Sequence, residues 1–368
     1  MYVTRKRRNI RWVQKQKKRQ LYIFIAIAYG IPYLLGLLMW YGSLNQLNLS
    51  AFPVTQMLYP AMGVMFAFLL TRREDKEMPK AFYICFILNT IISIVLTVLS
   101  VLMPDAIVTM PGGTISVFCL AVQYLMAAGS IICLICLIAA GKKKRGAYGI
   151  RWKNGRSSVG CILLFTILYL GRVAVFDGLA GELGKFVSIM TSAEAWIFIA
   201  VMPLNFLTGY IAFFGEEYGW RYYLQPLLQK KFGLRKGVLI LGVVWGLWHL
   251  PLDFFYYVKP EYGAVMTVNQ IINCVTLGIF LGYAYMKTEN IWVPVIIHFL
   301  NNNLIMVISG AFSADVLENN SVSWLDIPVT LLINVLVFGL FIFAKQYREK
   351  DTSRIKDVSA ASYSVSNL

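Results

Sequence analysis

The chain has 368 residues, of which 58% are hydrophobic and only 14% charged, against about 25% charged in soluble proteins. With a mean hydropathy of +0.64, the apolar residues exceed what one soluble core can hide, and lipid must be the solvent for most of the chain. The net charge of +16 invites a nucleic-acid reading. The basic residues, however, fall in short stretches between long apolar runs, and this excludes a spread nucleic-acid-binding face.

A bilayer-crossing helix needs about 20 mostly apolar residues. Ten spans are expected in chain order, at about 21–41, 53–71, 81–103, 115–140, 159–176, 190–215, 238–258, 268–286, 291–310 and 325–344. The fold class is therefore all-α, a polytopic transmembrane helical bundle. The expected organisation is a basic tail over 1–20, transmembrane helices over 21–158, a second transmembrane bundle over 159–344 and a polar, Ser-rich disordered tail over 345–368. The first apolar run is long and has no small-residue cleavage site after it, so it is expected to stay as a signal anchor. The fifth span is short and carries Arg172.

Orientation follows from the cations. If the N-terminus is cytoplasmic, 31 of the 34 Lys and Arg residues lie on the cytoplasmic side, and only Lys185 and Lys259 lie opposite. Both termini are expected there, in a multi-pass cell-membrane protein whose short outer loops look bacterial. The basic N-terminal tail would be drawn to anionic lipid head groups by about 1 kcal/mol per residue. The outer loops YGSLNQLNLSA, MPDAIVTMPGGT and SADVLENNSVSWLD read as plain connectors.

Cys85, Cys119, Cys133, Cys136, Cys161 and Cys274 mostly lie inside apolar runs. Even the Cys133–Cys136 CxxC reads as packing rather than metal or redox chemistry.

An ionisable residue inside a membrane helix costs about 2.5–3.5 kcal/mol on insertion scales, so each needs a reason. The chain has only two histidines, His249 in VVWGLWHLPLDFF and His298 in VPVIIHFLNNN, and both fall inside expected spans. The sixth span ends in Glu216 and Glu217, in FFGEEYGWRYYL. Glu217 and Arg221 are four apart and can pair on one face, while Glu216 is rotated away by about a hundred degrees. His298 and Asn302 are also four apart and can face one cavity, with Asn301 and Asn303 on other faces. Counted from the basic ends of the spans, these groups would meet in a pocket open to the cytoplasm. Such a set suits amide hydrolysis. A partly dry carboxylate and a histidine can activate water, and a second histidine with an asparagine can receive an oxyanion.

GEEYGWR supplies Glu-Glu-x-x-x-Arg at 216, 217 and 221. WGLWH supplies aromatic-x-x-x-His ending at 249, and HFLNN supplies His-x-x-x-Asn at 298 and 302. In that order, over roughly residues 190–310, the chain resembles the CPBP family (CAAX proteases and bacteriocin-processing enzymes), which includes many bacterial self-immunity proteins of the Abi type. The resemblance implies an intramembrane endopeptidase in which Glu216 and His249 activate water. His298 and Asn302 would stabilise the oxyanion, and Glu217 and Arg221 would support the site. Where the family usually has Phe, this chain has Trp245, read as a volume change without chemical effect.

The expected substrate is a peptide or membrane protein, in pheromone or bacteriocin maturation or self-immunity. A non-catalytic immunity protein or a proton-coupled transporter is the rival reading. No cofactor is expected. If zinc were present, Glu216, His249 and His298 would be its ligands. Gly242 and Gly246 form a GxxxG suited to close helix packing beside His249. Pro251 and Pro294 read either as simple kinks or as sites that free carbonyls toward a wet cavity.

Overall fold

The computed structural model describes residues 2–110, 113–318 and 320–348. The tail from 349 onward and the side chains of the first thirteen residues lie outside the described set. The helices in chain order are α1 (Tyr2–Ile25), α2 (Ile31–Leu44), α3 (Ala51–Gln56), α4 (Tyr59–Thr71), α5 (Lys80–Leu102), α6 (Val117–Ala147), α7 (Gly155–Leu179), α8 (Leu183–Met190), α9 (Ala193–Glu217), α10 (Gln225–Phe232), α11 (Leu234–Trp248), α12 (Leu250–Phe255), α13 (Gly263–Thr288), α14 (Trp292–Ile308) and α15 (Ile327–Val337).

Among the described residues eight helical stretches are long and apolar enough to cross a membrane, and α14 and α15 are shorter apolar helices. The all-α bundle of about ten apolar segments is thus what the chain forms. Three boundaries differ from the sequence reading. Residues expected as a separate basic tail have helical backbone, and α1 runs into α2 through a π-helical turn at Ala26–Gly30. The last apolar segment is helical only to Val337 and continues as 3-10 turns over Gly339–Phe343. The loop after α5 is not a plain connector. It holds an antiparallel hairpin, β1 (Ile107–Met110) with β2 (Gly113–Ser116), pairing Ile107 with Ser116.

The third boundary, at the sixth span, shapes the site. The sixth span does not end at the glutamate pair. Helix α9 starts on a Ser192 cap, whose hydroxyl accepts from the Ala195 N–H at 3.2 Å. It passes Glu217 into a π-helical turn at Tyr218–Leu224 and then α10, so that Ala193–Phe232 is one continuous helical stretch. The backbone stays helical past Pro203 and past Pro226, which sits in the first turn of α10, until Gly233, whose φ of 86° closes α10. Two small residues then let the motif sink inward. A Cβ on Gly215 would lie 2.3 Å from the Met57 carbonyl oxygen, and one on Gly219 would lie 2.3 Å from Pro60 Cβ. The rings of Phe214, Tyr218 and Tyr222 stack in succession along this stretch, with centroids 4.9 and 4.4 Å apart.

Helix α11 lies along α13, and the GxxxG reading holds. A Cβ on Gly242 would come within 2.5 Å of Val275 Cα, and one on Gly246 within 2.7 Å of Ile271 Cα. Pro251 and Pro294 both sit in the first turn of a helix, α12 and α14, where the missing N–H has no intrahelical partner to lose. The Leu247 carbonyl, four residues before Pro251, accepts from the Tyr33 hydroxyl at 2.7 Å.

Candidate active site

Helices α9, α11 and α14 bring Glu216, His249, His298 and Asn302 to one cavity of about 1040 Å³. Glu216, Glu217 and Arg221 are 2%, 0% and 0% exposed, so they are not interfacial charges.

Both hydrogen-bond donors to Glu216 converge on one oxygen. Trp245 Nε1–H donates to Oε2 at 2.7 Å and Trp220 Nε1–H donates to it at 3.3 Å. Among the described residues Oε1 takes no hydrogen bond and is left to the cavity. The expectation that Trp245 merely replaces the volume of Phe is therefore corrected: a phenyl ring has no N–H to give. The Arg221 guanidinium also lies 4.7 Å from the centre of the Trp245 ring.

His249 ends α11. Its Nδ1 lies 2.9 Å from the Trp245 carbonyl oxygen, which can only accept, so Nδ1 carries the hydrogen and Nε2 offers a lone pair. Cys274 Sγ, a cavity-lining thiol that sequence reasoning assigned to packing, lies 3.9 Å from the same Nδ1.

His298 is held through Glu217. Glu217 Oε2 accepts from Arg221 Nε at 2.9 Å, and Oε1 accepts from His298 Nδ1 at 2.9 Å. The His298 ring stands edge-on between Phe213 and Trp245, with centroids 5.4 and 5.5 Å away. The Glu–Arg clamp therefore orients His298, whereas two indoles orient Glu216. One turn on, Asn301 Nδ2–H donates to Asn302 Oδ1 at 3.0 Å, which turns the Asn302 amide nitrogen away from that contact as a free donor. Asn301 and Asn303 both line the cavity, so they are not incidental to it.

Among the described residues no group of three or more His, Cys, Asp or Glu stands close enough to hold a metal ion. The zinc set of Glu216, His249 and His298 is not assembled in this geometry.

The cavity extends in one direction from this floor. On α9 it is lined by Phe198, Asn205, Gly209 and Phe213, all N-terminal to Glu216, and by no residue after it. Its far wall includes Asn48, Ser50, Thr114, Tyr257 and Asn320. All but Tyr257, which lies at the end of the expected span 238–258, belong to loops read as outer connectors, and the Asn320 N–H donates to the Tyr257 carbonyl at 2.7 Å. No residue of the basic loops 72–80, 142–156 or 230–236 lines it. The expected opening toward the basic side does not match this lining. Because the helical stretch that starts with α9 continues through α10 to Phe232, Glu216 lies well inside it, with the buried, stacked rings of Tyr218 and Tyr222 following it in the chain.

Residues 193–304 match the model of the family described as type II CAAX prenyl endopeptidase Rce1-like. Over 106 residues the chain is 32% identical to the CAAX prenyl protease 2 of Methanococcus maripaludis, covering 27% of this chain and 39% of that protein. The chain thus aligns with well under two thirds of that relative's length, and the segment 193–304 that matches the family model holds all three motifs. No solved structure matches the chain. Through its segment 193–304, the chain is thus similar to the Rce1-like type II CAAX prenyl endopeptidases.

Proposed function

We propose that the protein is an intramembrane endopeptidase whose water is activated by Glu216 and His249. The observation that carries this reading is the meeting of Glu216, His249, His298 and Asn302 on one cavity, each oriented by a contact of its own. Glu216 Oε1 takes a proton from water while His249 Nε2 accepts its other hydrogen. The water oxygen bonds to the scissile carbonyl carbon, and the oxyanion is received by His298 Nε2–H, in its imidazolium form, and by the Asn302 amide. Glu216 then returns its proton to the leaving amide nitrogen as the C–N bond breaks. No metal enters this scheme.

The relative's name carries prenylated CAAX substrates, but for this chain the class proposed is a peptide or membrane-protein segment, in peptide maturation or self-immunity. The side of entry proposed is the face opposite the basic loops, which the lining from Asn48, Thr114, Tyr257 and Asn320 supports.

The test is cleavage of a membrane-peptide library by purified wild type beside Glu216→Gln. Cleavage by wild type alone supports the protease, and equal inertness with retained peptide binding overturns it. Separately, Asn320→Cys in intact cells should react with a membrane-impermeant maleimide. Labelling only after the membrane is broken would put the mouth on the cytoplasmic side.

A further inference from the structure

Arg172 is a charged residue in the wall of the cavity that the hydrolytic scheme does not use. It lies on α7, about 25 Å from the helix start at 1.5 Å per residue, on the outer side by the distribution of basic residues. Its Nη1 donates to Asn334 Oδ1 at 2.8 Å, and Asn334 Nδ2 donates in turn to Asn273 Oδ1 at 3.0 Å. The guanidinium is 4.8 Å from the centre of the Tyr169 ring. Its Nε is buried without a hydrogen-bond partner. Among the described residues no carboxylate pairs with it. Arg172 also lines an adjoining cavity of about 340 Å³ together with Asp177, Glu182 and Lys185, but neither carboxylate forms an ion pair with it, and Glu182 pairs with Lys185 at 3.3 Å.

A guanidinium on a membrane helix without a counter-charge is costly and marks a ligand or ion path. Here one edge of the fork is fixed by Asn334, and the other edge, Nε with Nη2, is the pair that matches the two oxygens of a carboxylate. The same wall leads to the catalytic floor. Tyr169, nearly one turn before Arg172, donates to the Asn301 carbonyl at 3.3 Å, next to the Asn302 that would receive the oxyanion.

We propose that Arg172, steadied by Asn334 and Asn273, is an anion subsite that binds a carboxylate of the substrate peptide within the catalytic cavity. The inference rests on the endopeptidase reading for the word substrate, but the binding it describes does not need turnover. A carboxylate held there would fix which stretch of an extended peptide lies across Glu216, so the enzyme would select its bond by distance from that anion. The carboxylate comes either from the peptide's C-terminus or from an acidic side chain.

The experiment uses Glu216→Gln protein in lipid nanodiscs and a fluorescent apolar decapeptide made in three forms: free C-terminal acid, C-terminal amide, and amide with one internal Asp. The expected result is that one carboxylate form binds about tenfold more tightly than the plain amide. The preference should vanish when Arg172→Gln is added. Arg172→Lys, which keeps the charge but not the fork, should lose most of it and guards against a misfolded Gln variant. The acid and Asp forms tell the two sources apart. Equal affinity of all three forms, or a preference unchanged by both substitutions, overturns the subsite. So does a change confined to retention of anionic phospholipid over zwitterionic lipid, which would make Arg172 a lipid-phosphate contact. If the peptide preference stands but wild type cuts nothing in the library, the endopeptidase reading fails while the subsite holds.

Discussion

The Trp245 indole N–H donates a 2.7 Å hydrogen bond to Oε2 of Glu216. A motif position that resembles a packing aromatic thus carries a polar contact to the carboxylate at the centre of the site. A hydrogen bond to a charged group contributes about 1.5–3 kcal/mol. Trp245→Phe should therefore lower kcat by roughly 10- to 100-fold with KM little changed. Trp220→Phe removes the longer 3.3 Å contact and should cost less. Steady-state kinetics on one peptide would rank them, and equal small losses would mean that Glu216 is held by packing alone.

The asparagine run on α14 gives a second ranking. Asn302→Ala removes a proposed oxyanion donor and should lower kcat by about 10²–10³. Asn301→Ala leaves that donor in place but removes the 3.0 Å contact that fixes its amide. Its loss should be smaller, about tenfold, the scale of one hydrogen bond. If Asn301→Ala were as damaging as Asn302→Ala, Asn301 would itself face the reacting carbonyl.

Chelation separates water activation by a carboxylate from activation by a metal. Since no His, Cys, Asp or Glu trio is gathered for an ion among the described residues, activity should survive prolonged chelator treatment. Metal analysis of active protein should find well under one zinc per chain. Loss on chelation with recovery on added zinc would require the site to rearrange around an ion.

Composition and run length made the bundle legible because bilayer thickness sets helix length so tightly. Three motif spacings made Glu216, Glu217, Arg221, His249, His298 and Asn302 legible because membrane helices seldom carry such groups without reason. What stayed hidden depends on partners distant in sequence. That Glu217 reaches His298 rather than steadying Glu216 is an 81-residue contact between helices. The role of Trp245 rests on a contact with Glu216 across 29 residues, from one helix to another, which the spacing within neither motif reveals. The continuation of the helix past the glutamates is hidden because polar residues resemble a span end, whereas the helical path closes only at Gly233.

The Glu217–Arg221 pair offers a test in which folding and catalysis part company. Both side chains are wholly buried, and Arg221 Nη1 and Nη2 have no hydrogen-bond partner, so Glu217 is the only carboxylate that pairs with this cation among the described residues. Glu217→Gln strands that charge and should destabilise the protein by about 3–5 kcal/mol, visible as a lowered Tm in detergent. Arg221→Met should be destabilising in the same range for the converse reason. The double variant Glu217→Gln, Arg221→Met removes both charges and should recover most of the Tm, because an ion pair replaced as a unit is often near neutral. Activity should not recover with it. Glu217 Oε1 also holds His298 Nδ1 at 2.9 Å, and a neutral amide in its place cannot support the imidazolium that donates to the oxyanion. A double variant that regained stability and kcat together would reduce the pair to a structural clamp and leave His298 oriented by Phe213 and Trp245 alone.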